Sequence, residues 1–249
     1  MNPRAPRVTL LHGFLGSPAD WADVLRELRP DIACDAPTIA SFDPSSVAAA
    51  ARGLAAHLEA RACDLLVGYS MGGRIALELA ATRPELAPRL LLLSASPGIE
   101  DEDERAARRD EDDRRAAELL LDGLARFAER WYAMPLFAPL RAHAAFAEVR
   151  ARRVAGDAAF WGRTVAAYSP GRSEPRYSAL PALAPRTVLA VGALDAKYGE
   201  VAARAARIAP ALRVETVAGA GHVLPIEAPA ACARLIESAL AIETGPRTP

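Results

Sequence analysis

Apolar residues fall in short blocks separated by longer alanine-rich stretches of helical spacing. The blocks at 8–11, 32–35, 64–67, 90–94, 187–192 and 213–217 are rich in Val, Leu and Ile and bounded by turn-forming residues, the pattern of β-strands. Helices are predicted to begin near Ala19, Ser46, Met71, Tyr198 and Ala228. Strand and helix alternate, which is the rhythm of βαβ units. The expectation is an α/β fold with a mostly parallel sheet of about six strands and helices on both faces.

One region breaks the rhythm. Residues 98–177 show no strand pattern; they are charged and helical, with aromatic islands at Phe127, Trp131, Tyr132, Phe137, Phe146, Phe160 and Trp161. An excursion of that length between two strands is too long for a structureless loop. It is expected to be a helical cap over the C-terminal edge of the sheet, with 1–97 and 178–249 forming the core. No internal repeat or low-complexity tract is evident, only a polar tail after Ile242.

Composition narrows the class. With 249 residues, 51% hydrophobic and 24% charged, the chain can bury one substantial core. A net charge of -1 supplies no bulk attraction to nucleic acid or anionic lipid, so any anion site must be local. The apolar run before His12 is too short for a signal peptide, and no stretch reaches the length of a membrane span. Cys34, Cys63 and Cys232 have neither metal-ligand nor redox spacing and read as reduced core thiols. Together these point to a cytoplasmic protein without stable membrane insertion, metal or cofactor.

The chemistry centres on Gly68-Tyr69-Ser70-Met71-Gly72, between a strand block and a helical stretch. Gly-x-Ser-x-Gly there is the pattern of a nucleophile elbow, in which a strained turn exposes the serine hydroxyl above the sheet edge. A reactive serine needs an imidazole to take its proton and an acid to orient that imidazole. Asp195 lies just beyond the fifth strand block, and His222 follows the sixth in a loop of small residues, 218–221. The order Ser, Asp, His resembles that of α/β-hydrolases. Asp195 could instead merely cap a helix, and His222 could be a partnerless loop residue. His57 and His143 lie in helical stretches as surface or cap residues, and His12 reads as shaping the turn 12–17. That turn, His12-Gly13-Phe14-Leu15-Gly16-Ser17, would place the Phe14 N–H beside that of Met71 as an oxyanion hole.

Five segments, LLHGFLGSPADW, VGYSMGGRIALELA, SPGIEDEDERAARRDEDDR, RWYAMPLF and GALDAKY, carry a closer resemblance. Together they resemble the α/β-hydrolase-fold synthases of menaquinone biosynthesis that form 2-succinyl-6-hydroxy-2,4-cyclohexadiene-1-carboxylate. The resemblance runs from about Val8 to Leu240. It implies a lyase that removes an activated proton from 2-succinyl-5-enolpyruvyl-6-hydroxy-3-cyclohexene-1-carboxylate and releases pyruvate, with Ser70 acting as a base through His222. An oxyanion hole that holds a tetrahedral intermediate can equally hold an enolate.

By the same resemblance Arg74, Arg108 and Arg152 would receive the carboxylates of a small anionic substrate, and Tyr69 and Trp131 would line the pocket. Guanidinium suits carboxylate because its planar fork engages two oxygens at once. From the residues alone, Arg74 must lie one helical turn from Ser70. Arg108 could belong to a solvated helical face with the pairs Glu104–Arg108, Asp110–Arg114 and Glu111–Arg115, and Arg150 and Arg153 compete with Arg152. The loop 35–46 lacks the Pro-Gly-His-Gly of the family, and 223–229 is more apolar than its counterpart. A carboxylesterase or C–C bond hydrolase working through an acyl-serine is the alternative, and a noncatalytic ligand-binding member the third. The oligomeric state is open.

Overall fold

The computed structural model describes residues 4–243; the first three residues and most of the polar tail lie outside it. Six strands, β1 (Arg7–Leu11), β2 (Ala33–Asp35), β3 (Leu65–Tyr69), β4 (Leu90–Leu93), β5 (Thr187–Gly192) and β6 (Arg213–Val217), form one sheet in the order β2-β1-β3-β4-β5-β6. Every neighbouring pair is parallel. Side chains alternate across the central strands, as the pleat requires. Leu65, Val67, Leu91 and Leu93 pack on one face and Leu66, Leu90 and Leu92 on the other.

Helices cover both faces, which keeps a parallel sheet dry. Val24 of α1 (Ala22–Glu27) sits on the first face, while Leu54 of α2 (Val47–Ala60) and Ile75 and Leu79 of α3 (Met71–Thr82) sit on the second. Ser46 starts α2 as its cap, accepting the Ala49 N–H at 3.0 Å.

All the helices of 98–177 lie between β4 and β5. They are α4 (Glu102–Ala133), α5 (Ala138–Ala142), α6 (Phe146–Val154) and α7 (Ala158–Ala167). Asp101 caps α4, and Gly123 breaks it with φ 76° and ψ 168°, a conformation that only glycine adopts readily. The insertion closes on itself at its base. The Arg176 N–H donates to the Pro97 carbonyl at 2.7 Å, and the Arg176 guanidinium makes two 2.7 Å bonds to Glu78 on α3.

The chain returns through α8 (Leu180–Leu183), then α9 (Ala196–Ile208) between β5 and β6, and ends with α10 (Leu224–Glu227) and α11 (Pro229–Leu240). Ile236 of α11 joins Val24 on the first face. No helix among the described residues is long and apolar enough to cross a membrane.

Candidate active site

Ser70 stands between β3 and α3 at φ 51°, ψ -113°, the strained turn expected of an elbow. Its neighbours explain the glycines. A Cβ on Gly68 would meet the Gly73 Cα at 2.5 Å, and one on Gly72 the His12 carbonyl oxygen at 2.4 Å. The turn therefore fits only without those side chains.

A hydrogen-bonded chain runs from the serine. Ser70 Oγ lies 3.1 Å from His222 Nε2, and His222 Nδ1 lies 2.7 Å from Asp195 Oδ2. With the Nδ1–H donating to the carboxylate, the Nε2 lone pair faces the hydroxyl. Asp195 also caps α9, its Oδ1 accepting the Tyr198 N–H at 3.1 Å. The capping role and the His222 contact are thus complementary: one oxygen holds the helix and thereby aims the other.

The turn after β1 is fixed by His12, which is buried. Its Nε2 accepts the Ile39 N–H at 3.0 Å, so the proton resides on Nδ1, which donates to the Gly13 carbonyl at 2.9 Å. Burial lowers the His12 pKa below 6.5, the nearby Arg153 adding to that and Asp20 opposing it. His12 also ties loop 35–46 to the turn. That loop contributes no residue to the cavity wall, and meets the cap where the Tyr168 hydroxyl donates to the Asp43 carbonyl at 2.9 Å. Neither the Phe14 nor the Met71 N–H has a hydrogen-bond partner among the described residues. His57 pairs with Asp35 at 2.5 Å, and His143 accepts the Ala145 N–H, both away from Ser70 as expected. Burial raises all three cysteine thiols, Cys34 to about 11 and Cys232 to about 12; Cys63 and Cys232 lie in the core as expected, whereas Cys34 on β2 is only partly buried.

A cavity of about 270 Å³ opens over Ser70, between the sheet edge and the helices of the insertion. Phe14, Tyr69, Trp131 and Phe137 supply apolar wall. Phe14 reaches into the insertion, its ring 5.0 Å from Trp131 and 5.3 Å from Trp161. The charged wall is one-sided: among the described residues, Arg74, Arg108, Arg115, Arg153 and Lys197 face a single lining carboxylate, Asp112.

These cations differ in how they are held. Among the described residues the Arg74 guanidinium donates only to the Tyr168 carbonyl, and burial, aided by Arg108, lowers its pKa to about 10. Arg108 binds Asp112 at 2.7 Å, and Arg115 binds the other oxygen of Asp112 at 2.9 Å and Glu111 at 2.6 Å. Asp112, 1% exposed, thus orients two guanidiniums at the cavity edge. Of the three helical pairs expected on this face, Glu111–Arg115 forms, whereas Arg108 turns forward to Asp112, away from Glu104.

Arg152 is the correction. It lies outside the cavity wall, binding Glu148 at 2.7 Å and Asp20 at 3.2 Å, and Arg153 takes the inward place. On α6 the buried positions are Val149 and Arg153, four residues apart and so on one face, with Arg152 about 100° around the helix. Arg153 donates to Tyr132 Oη at 2.6 Å and Asp20 Oδ2 at 3.0 Å. Burial opposes its charge, but the Tyr132 and Asp20 oxygens outweigh it and raise its pKa.

Tyr198, Lys197, Asp112 and Asp20 carry no role in the sequence reading, and Arg115 appears there only as the helical partner of Glu111. Tyr198 had a local signal, one helical turn past Asp195; its ring centroid lies 4.5 Å from that of His222. Asp20 had none, because its partner is 133 residues away.

A six-stranded parallel sheet with a serine elbow, and a histidine and an acid from its later loops, defines an α/β-hydrolase. The family model described as "Alpha/beta hydrolase family" matches residues 10–235, and the chain belongs to that family. Within it the chain is a member of the 2-succinyl-6-hydroxy-2,4-cyclohexadiene-1-carboxylate synthase family. It is 30% identical to the protein of that name from Pectobacterium atrosepticum, over 96% of this chain and 95% of that one. It is also 28% identical to Protein PHYLLO, chloroplastic, from Arabidopsis thaliana, covering 92% of this chain but 15% of that far longer protein. The solved structure of MenH from S. aureus shares the fold with a TM-score of 0.87 at 22% identity, over 96% of this chain and 94% of that one.

Proposed function

We propose that this chain is a lyase of menaquinone biosynthesis that eliminates pyruvate from 2-succinyl-5-enolpyruvyl-6-hydroxy-3-cyclohexene-1-carboxylate. The observation that carries the reading is the one-sided charge of the cavity. Five cationic side chains beside a single lining carboxylate suit a substrate with several carboxylates and leave a neutral ester without partners.

Ser70 Oγ takes the proton from the carbon beside the substrate ketone, passing its own to His222 Nε2. Asp195 stabilises the imidazolium that forms. The electron pair left on carbon is delocalised onto the ketone oxygen, which the Phe14 and Met71 N–H groups receive. Its return forms a ring double bond between C2 and C3, shifts the existing C3–C4 double bond to C4–C5 and breaks the C5–O bond to the enolpyruvyl group, which leaves as the enolate of pyruvate and takes up the proton held by His222. Arg74, Arg108 and Arg153 hold carboxylates, while Tyr69 and Trp131 pack against the ring.

The test is direct: purified protein with that substrate, pyruvate followed by a coupled dehydrogenase. Arg153→Met should lower kcat/KM roughly ten- to hundredfold, the range for losing a charge-assisted hydrogen bond, whereas Arg152→Met should change it severalfold at most. Hydrolysis of a neutral aryl ester should be slow and unaffected by Arg74→Met. No pyruvate, together with rapid ester turnover through an acyl-serine, would reject the lyase in favour of the esterase.

A further inference from the structure

His222 lies in a loop whose preceding residues are small, with Gly219 at φ 72°. Such a segment has little intrinsic stiffness, yet the imidazole must keep its place over Ser70. Glu227, the last residue of α10, reaches back to it. One carboxylate oxygen accepts the Gly221 N–H at 2.5 Å and the other the Val223 N–H at 2.9 Å, the N–H groups of the residues on either side of His222. The turn is closed from the other direction as well, since the Ile226 and Glu227 N–H groups both donate to the Val223 carbonyl at 2.9 Å. Glu227 is absent from the cavity wall, and no cation forms an ion pair with it among the described residues. Both of its oxygens are thus directed at the backbone around the histidine.

We propose that Glu227 is the positioning residue for His222, its carboxylate bracketing the main chain on both sides of the imidazole and so setting the Nε2-to-Ser70 distance. This rests on Ser70 and His222 being the reacting pair. A carboxylate suits the task because both of its oxygens accept. A glutamine offers one acceptor, and its amide would point N–H at N–H on the other side. The bracket has an opposing wall: an added Cβ on Gly221 would meet Pro139 of the insertion at 2.6 Å, and the Phe137 ring lies 6.0 Å from that of His222. The histidine is held from below by Glu227 and from above by the cap.

The experiment compares wild type, Glu227→Gln and Glu227→Ala by the rate at which a neutral fluorophosphonate labels Ser70, and by kcat and KM on the acidic substrate. Melting temperature and the downfield imidazole N–H proton signal are recorded alongside. Misplacing a base by about 1 Å costs on the order of a hundredfold, so labelling and kcat should both fall at least about tenfold in Glu227→Gln. KM should stay within about twofold because Glu227 touches no substrate, and the imidazole proton signal should shift or broaden while melting changes little. Wild-type labelling rates and an unmoved proton signal in both variants would overturn the proposal and leave the Ser70–His222 pair standing. So would a loss of labelling only in step with a loss of folded protein. Wild-type protein that resists the probe would instead remove the reacting pair, and the proposal with it.

Discussion

Replacing Arg74 with methionine should make this protein more stable and less active at once. Arg74 sits on the first turn of α3, with the Tyr168 carbonyl as its hydrogen-bond partner and Arg108 adding repulsion. Its pKa falls from 12.5 to about 10. Below about pH 10 the guanidinium stays charged, so the folded state carries the whole cost at neutral pH. A shift of that size corresponds to about 3 kcal/mol, and losing the hydrogen bond to Tyr168 returns about 1 kcal/mol of it. Methionine keeps the apolar stem, leaving a net gain of about 2 kcal/mol, or roughly 4–8 °C in melting temperature for a chain of this size. Urea and thermal melts measure the gain, and pyruvate release measures the accompanying loss of kcat/KM. The multicarboxylate substrate should raise the melting temperature of wild type and much less that of the variant, since only a state that binds ligand is stabilised by it. A variant melting below wild type would refute the reasoning, because it would mean that the folded protein does not strain to hold this charge.

Three further predictions follow from other contacts. Ser70→Ala and His222→Ala are each expected to lower turnover at least about 100-fold without unfolding the chain, and Asp195→Asn to be severe through the wrong imidazole tautomer; pyruvate kinetics with circular dichroism decide it. Asp20→Asn should cost about 3–5 kcal/mol in a urea melt by leaving Arg153 buried with only Tyr132, and a change below about 1 kcal/mol would mean that the pair is immaterial. Because burial lowers the His12 pKa below its unfolded value of 6.5, the unfolded chain binds more protons below that pH, so stability should fall as pH drops from about 6.5. Urea melts at several pH values should show a shallower fall in His12→Gln, and equal slopes would clear His12 of the effect.

The sheet was legible in the sequence because its strands are locally written. β5 and β6 coincide with the apolar blocks at 187–192 and 213–217, and the bounds of the others shift by two residues or fewer. Ser70, Asp195 and His222 were equally accessible, since an elbow and two post-strand loops fix their places in a parallel sheet. The cap was legible only as a helical region. Whether Arg152 or Arg153 faces inward depends on which side of α6 meets the core, and the decisive partner, Asp20, lies 133 residues away. Glu227 escaped notice for a different reason: it sits in the apolar segment 223–229, and a carboxylate bound only to backbone N–H groups leaves no partner side chain to find.

The closed base of the insertion bears on how such proteins diversify. The chain leaves the sheet at Pro97 and comes back to it at Arg176, and those two residues are hydrogen-bonded to each other. To the core, the intervening helices are therefore equivalent to a short hairpin with a load at its tip. Segments that begin and end at the same point can be lengthened, shortened or exchanged without moving the strands on either side. The serine, acid and histidine stay with the core, while Arg108, Arg115, Trp131 and Arg153 travel with the insert. On the proposed function, the reacting groups and the anchors Tyr69 and Arg74 are inherited with the core and the remaining cationic wall with the insert, so a transplanted cap tied down at the equivalents of Pro97, Arg176 and Glu78 is a route to new selectivity above an unchanged serine, acid and histidine.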